Sequence, residues 1–61
     1  MNYTIIIPHR NIPILLQRCL DSIPRRYDVQ IIVVDDNSSS TMVDFSHFPG
    51  EDREDVKVIY T

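Results

Sequence analysis

Ile31-Ile32-Val33-Val34-Asp35-Asp36-Asn37-Ser38 is a short apolar run that breaks abruptly into two carboxylates and then small polar residues. An unbroken β-branched run bounded by turn formers reads as a strand buried on both faces, as in a parallel sheet. In open α/β sheets ligands bind in the crevice beyond the carboxyl ends of the strands. Asp35 and Asp36 therefore stand where a small molecule would be met.

Upstream, Tyr3 to Ile7 is a β-branched and aromatic run closed by Pro8, a first strand. From Pro13 to Ile23 the residues Leu15, Leu16, Cys19, Leu20 and Ile23 recur at helical spacing, leaving Gln17, Arg18, Asp21 and Ser22 for water. Asn11 or Ile12 precedes this helix, proline is tolerated in its first turn, and Pro24 cannot continue it. Strand, helix and strand Val29 to Val34 have the size of a βαβ unit, whose right-handed crossover makes the strands parallel. Downstream, Ser38-Ser39-Ser40-Thr41 could open a short helix through Met42 to Phe45, with His47 to Gly50 turning the chain away. Val56, Val58 and Tyr60 alternate with Lys57 and Ile59, which predicts a half-exposed third strand at an edge.

The fold class is thus α/β: a truncated Rossmann-like β-α-β-(α)-β three-layer unit with a parallel sheet, one domain over residues 1–61. One good helix and one short one cannot cover both faces of such a sheet. The chain is therefore expected to be part of a larger protein or to associate through its uncovered face or edge.

Composition narrows the function classes. A net charge of −3 and a pI near 5.0 argue against a nucleic-acid partner, which favours a basic face. Gly50 is the single glycine, which excludes a glycine-rich phosphate loop. Cys19 is the single cysteine, so no disulfide forms within the chain; it reads as a buried core thiol in a reducing, cytoplasmic setting. His9 and His47 are too isolated to suggest a zinc site. Glu51-Asp52-Arg53-Glu54-Asp55 reads as a solvated loop. No apolar run approaches the roughly 18 residues that span a bilayer.

Two parallel strands share a carboxyl end, so Pro8-His9-Arg10-Asn11 and Asp35-Asp36-Asn37-Ser38 should form one rim. Carboxylates there can accept hydrogen bonds from a nucleobase N–H or from ribose hydroxyls, while Arg10 can stack on a base or pair with phosphate. Adjacent carboxylates alternate sides in an extended chain, and Asp36, further out, is the one expected to face the crevice. The competing reading has Asp35 capping the following turn and Asp36-Asn37-Ser38 solvating the strand exit.

Ile6-Ile7-Pro8-His9-Arg10-Asn11, Leu15-Leu16-Gln17-Arg18-Cys19-Leu20-Asp21-Ser22-Ile23 and Val33-Val34-Asp35-Asp36-Asn37-Ser38, in that order, resemble the opening motifs of the family 2 glycosyltransferases. Val56 to Tyr60 resembles that family's third strand. The resemblance implies the N-terminal, nucleotide-binding part of a GT-A fold, with Pro8, His9, Arg10, Asn11, Asp35 and Asp36 lining the nucleotide pocket. Asp36 would contact the base, with Asp35 mainly structural or on the ribose. Arg10 replaces the family's usual aromatic residue, and a guanidinium can stack in its place. The implied ligand is a nucleotide-sugar donor, a UDP-sugar, used for inverting transfer. The family's Asp-x-Asp metal motif and its acceptor-activating carboxylate are not matched here. The resemblance therefore implies no cofactor held by this chain, Mg or Mn in a parent enzyme, and no sugar transfer by these residues alone. Two readings from other classes stay open: a non-catalytic interaction or oligomerisation module, and a receiver-like signalling domain suggested by Val34-Asp35-Asp36-Asn37.

Overall fold

The computed structural model describes residues 3–61. Strands β1 (Tyr3–His9), β2 (Val29–Asp35) and β3 (Val56–Tyr60) form one parallel sheet in the order β1-β2-β3. Helix α1 (Pro13–Asp21) connects the first two strands, and a single 3₁₀ turn at Phe45–His47 precedes the third. This is the small Rossmann-like α/β unit expected from the periodicity. No described helix is long and apolar enough to cross a membrane.

Alternation along the strands divides the sheet into two unlike faces. Ile5, Ile7, Val29, Ile31, Val33, Val56 and Val58 point toward α1 and pack with its buried Leu16 and Leu20. Val43 and Phe48, from the segment between β2 and β3, complete this core. The opposite face carries Ile6, Ile32, Val34 and Ile59 without a covering layer, and Ile6 is 64% exposed. Helix and sheet are thus the two layers that the described residues build.

Several elements depart from expectation for physical reasons. β1 continues through Pro8 to His9, because an edge strand tolerates a proline that lacks a ladder donor. α1 stops at Asp21 rather than Ile23, and Ser22 closes it with its amide on the Arg18 carbonyl and its hydroxyl on that of Cys19. Cys19 is exposed, not a core thiol, since the buried stripe of this short helix is only as wide as Leu16 and Leu20. The helix expected through Met42 to Phe45 does not form; the chain turns over residues 41–44, and Asp44 caps the 3₁₀ turn that starts at Phe45 by accepting from the Ser46 amide.

The acidic run is also more than a solvated loop. Arg53 is buried, clamped by Asp55 through two hydrogen bonds of 2.9 and 2.7 Å, and donates to the Leu20 and Ile23 carbonyls at 2.7 and 3.1 Å. It therefore gives the Leu20 carbonyl a second donor, beside the Ile23 amide at 3.0 Å, and supplies one to the Ile23 carbonyl just past the end of α1. Gly50 lets the chain pass between helix and sheet: at φ +88° a Cβ would meet Leu20 Cδ1 at 2.9 Å and Val56 Cγ1 at 3.0 Å.

Candidate functional site

Register brings the expected residues to one rim. His9 lies opposite Asp35, and Asp35 opposite Tyr60, so the carboxyl ends of the three strands finish level. The loops leaving β1 and β2 begin side by side, with the Asp36 amide donating to the His9 carbonyl at 2.9 Å.

Alternation then splits the rim into an inner pair and an outer pair. His9 and Asp35 point toward the core, with side chains only 1% and 2% exposed, and His9 Nδ1 donates to Asp35 Oδ1 at 2.7 Å. The tautomer follows from the other nitrogen: Nε2 accepts the Ile12 amide at 3.1 Å, so the ring proton sits on Nδ1. Ser38 supplies the rest of the Asp35 shell, its hydroxyl donating to Oδ1 at 2.6 Å and its amide to Oδ2 at 3.2 Å. His9 also meets Phe48 edge to face at 5.6 Å. Both the His9 and Asp35 side chains are thus engaged with each other and with the loops.

Arg10 and Asp36, one residue further along each strand, are both exposed. Pro8 is exposed on the uncovered face. Asn11 sits at φ 58° and Asn37 at φ 54°, left-handed conformations that asparagine tolerates better than most residues. Asn11 is not the side-chain cap of α1; its Oδ1 instead accepts the Ser39 amide at 2.8 Å.

Ser39 and Phe48 are the rim-supporting residues that sequence reasoning missed, whereas Ser38 belongs to the expected rim, and Asp35 caps the turn after β2 by accepting from the Ser38 amide, as the competing reading has it. Phe48 had only a weak signal, standing three positions after Phe45 in a stretch that reads as a turn.

Burial alone would push the Asp35 carboxyl up, but the hydrogen bonds from Ser38 and His9 outweigh it and hold it below its ordinary value. Asp28, Asp44 and Asp55 are also lowered: by hydrogen bonding to Arg26, to Ser46 with His47, and to Arg53, respectively. A depressed folded-state pKa means the unfolded chain binds more protons in that range, so the stabilisation is present above the unfolded value near pH 4 and lost below it. Urea midpoints should thus hold steady from about pH 7 to about pH 5 with respect to these groups and fall steeply below about pH 4. Asp35→Asn should flatten that acid limb; an unchanged limb would show that Asp35 does not carry its share.

No cluster of three or more His, Cys, Asp or Glu that could hold a metal ion occurs among the described residues.

Comparison with known proteins gives one match. The family model described as glycosyl transferase family 2 matches residues 4–61. No curated protein and no solved structure matches the chain.

Proposed function

The chain belongs to glycosyl transferase family 2, and we propose that its carboxyl rim binds the nucleotide part of a nucleotide-sugar donor, a UDP-sugar, for transfer with inversion. The observation that carries this reading is the outer pair: Arg10 and Asp36 are exposed next to each other's strands while the inner pair beneath them is buried. A carboxylate that only accepts suits the N–H of a base or the hydroxyls of a ribose, and a planar cation beside it suits a base face or a phosphate. Asn11 follows Arg10 in the loop, Pro8 precedes the rim within β1, and Asp35 and His9 contribute from beneath. Fixing the nucleotide lets the sugar carbon be presented in one orientation, which is the share of the reaction open to these residues.

Heteronuclear NMR titration of the chain with UDP and with GDP tests this. Saturable shifts confined to residues 9–11 and 35–38, stronger with UDP and abolished by Asp36→Ala, are expected. A folded spectrum that ignores both nucleotides would sink the proposal. A second reading, a non-catalytic module that pairs with itself, draws on the uncovered Ile6, Ile32, Val34 and Ile59. It is favoured if the spectrum ignores nucleotide yet broadens with protein concentration.

A further inference from the structure

The two loops of the rim are tied together by a closed circuit of side chains. Asp35 Oδ1 accepts from both His9 Nδ1 and the Ser38 hydroxyl, at 2.7 and 2.6 Å. From His9 the circuit passes through Nε2 to the Ile12 amide at 3.1 Å; from Ser38 it passes through Oγ to the Asn11 amide at 2.9 Å. Adjacent amides of one loop are thus held by a strand residue on one side and by the other loop on the other. Asn11 returns the contact, its Oδ1 accepting the Ser39 amide at 2.8 Å.

This circuit sits where the backbone is least willing to stay. Asn11 and Asn37 both hold positive φ, and such conformations persist only where the surroundings over-determine them. Arg10 lies between His9 and Asn11, and Asp36 lies between Asp35 and Asn37. Each exposed residue of the outer pair is therefore flanked on both sides by clamped or strained neighbours. The circuit is buried at Asp35 and part-buried at the Asn11 and Ile12 amides, and among the described residues no buried side-chain nitrogen or oxygen lacks a partner. A site of this kind binds without first ordering two loops, a cost that otherwise subtracts from affinity.

Resting on the nucleotide-binding reading, we propose that Ser38 and His9 are positioning residues, which clasp the two loops so that Arg10 and Asp36 are preset for the nucleotide. Neither side chain touches the ligand. Ser38 acts through Asp35 and the Asn11 amide, and His9 through Asp35 and the Ile12 amide.

The experiment compares wild type, Ser38→Ala, Ser38→Thr and Asp36→Ala by amide hydrogen exchange and by UDP titration of the whole chain. Ser38→Ala should speed exchange of the Asn11 and Ile12 amides by about tenfold or more while the core amide of Val33 keeps its protection. It should weaken UDP binding by about tenfold. Ser38→Thr, which keeps the hydroxyl, should restore both. Asp36→Ala should abolish UDP binding and leave Asn11 and Ile12 exchange unchanged, separating a contact from a positioning residue. His9→Phe, which keeps a ring against Phe48 but removes both nitrogens, serves if Ser38→Ala does not fold. Wild-type affinity in a folded Ser38→Ala, or unprotected Asn11 and Ile12 amides in the wild type, overturns the clasp. Protected amides in a wild type that binds no UDP overturn the nucleotide reading, and the positioning role with it.

Discussion

Arg53→Ala is expected to destabilise the chain by about 3–5 kcal/mol in urea unfolding, the range for removing one partner of a buried, hydrogen-bonded charge. At roughly 0.05–0.15 kcal/mol per residue, a chain of this length holds about 3–9 kcal/mol in all, so the loss is a third of its stability or more. Three groups lose partners at once. Asp55 is left with a half-buried carboxylate, its side chain 12% exposed, that has lost both of its guanidinium bonds. The Leu20 carbonyl loses its shortest donor, and that of Ile23 loses the donor that Arg53 supplies. The helix end is then no longer tied to the approach to β3, whose first contact with β2 is the Ile31 amide on the Asp55 carbonyl at 2.9 Å. Arg53→Lys should recover only part of the loss, because an ammonium cannot match the carboxylate fork and reach a carbonyl with the same planar geometry. Circular dichroism against urea decides it. A loss below about 1 kcal/mol would show that the pair behaves as a surface ion pair.

The residues most legible in the sequence were those whose environment is set by their neighbours in the chain. Ile31 to Val34 reads as a strand because four β-branched residues followed by turn formers suit no other element as well, and Leu16 and Leu20 share a helical face. From these the parallel sheet and the meeting of His9, Arg10, Asp35 and Asp36 at one rim follow by topology alone. Of the two adjacent acids Asp35 is buried and Asp36 exposed, the opposite sides that alternation gives them. What stayed hidden depended on partners far along the chain. Arg53 lies in a run of charges that local reading assigns to water, and its buried state comes from carbonyls some thirty positions earlier. Cys19 recurs at the same helical spacing as Leu16 and Leu20, yet only those two residues of α1 are buried. The Asn11 and Ser39 contact joins two loops whose separate sequences carry no sign of each other.

Phe48 is the other hidden residue, and Phe48→Ala is expected to cost about 3–5 kcal/mol, the range for truncating a buried aromatic. Its ring is 2% exposed and stands at the centre of an aromatic group, edge to face with His9 at 5.6 Å and Tyr60 at 5.4 Å and stacked on Phe45 at 5.9 Å. It fills the part of the sheet that α1 does not reach, so truncation removes apolar contact from β1 and β3 together. Its loss also reaches the rim. The His9 ring would keep its hydrogen bonds to Asp35 and the Ile12 amide but lose the wall that fixes its tilt and excludes water from the pair. Phe48→Leu retains most of the volume and should cost about 1.5 kcal/mol or less. The comparison separates volume from ring geometry. In the leucine variant the core should stay cooperative while the His9 ring signals shift, whereas the alanine variant should broaden or lose the native spectrum. An alanine variant as stable as wild type would show that residues 43–48 do not cover the sheet in solution, leaving α1 as the whole of the second layer and His9 open to water.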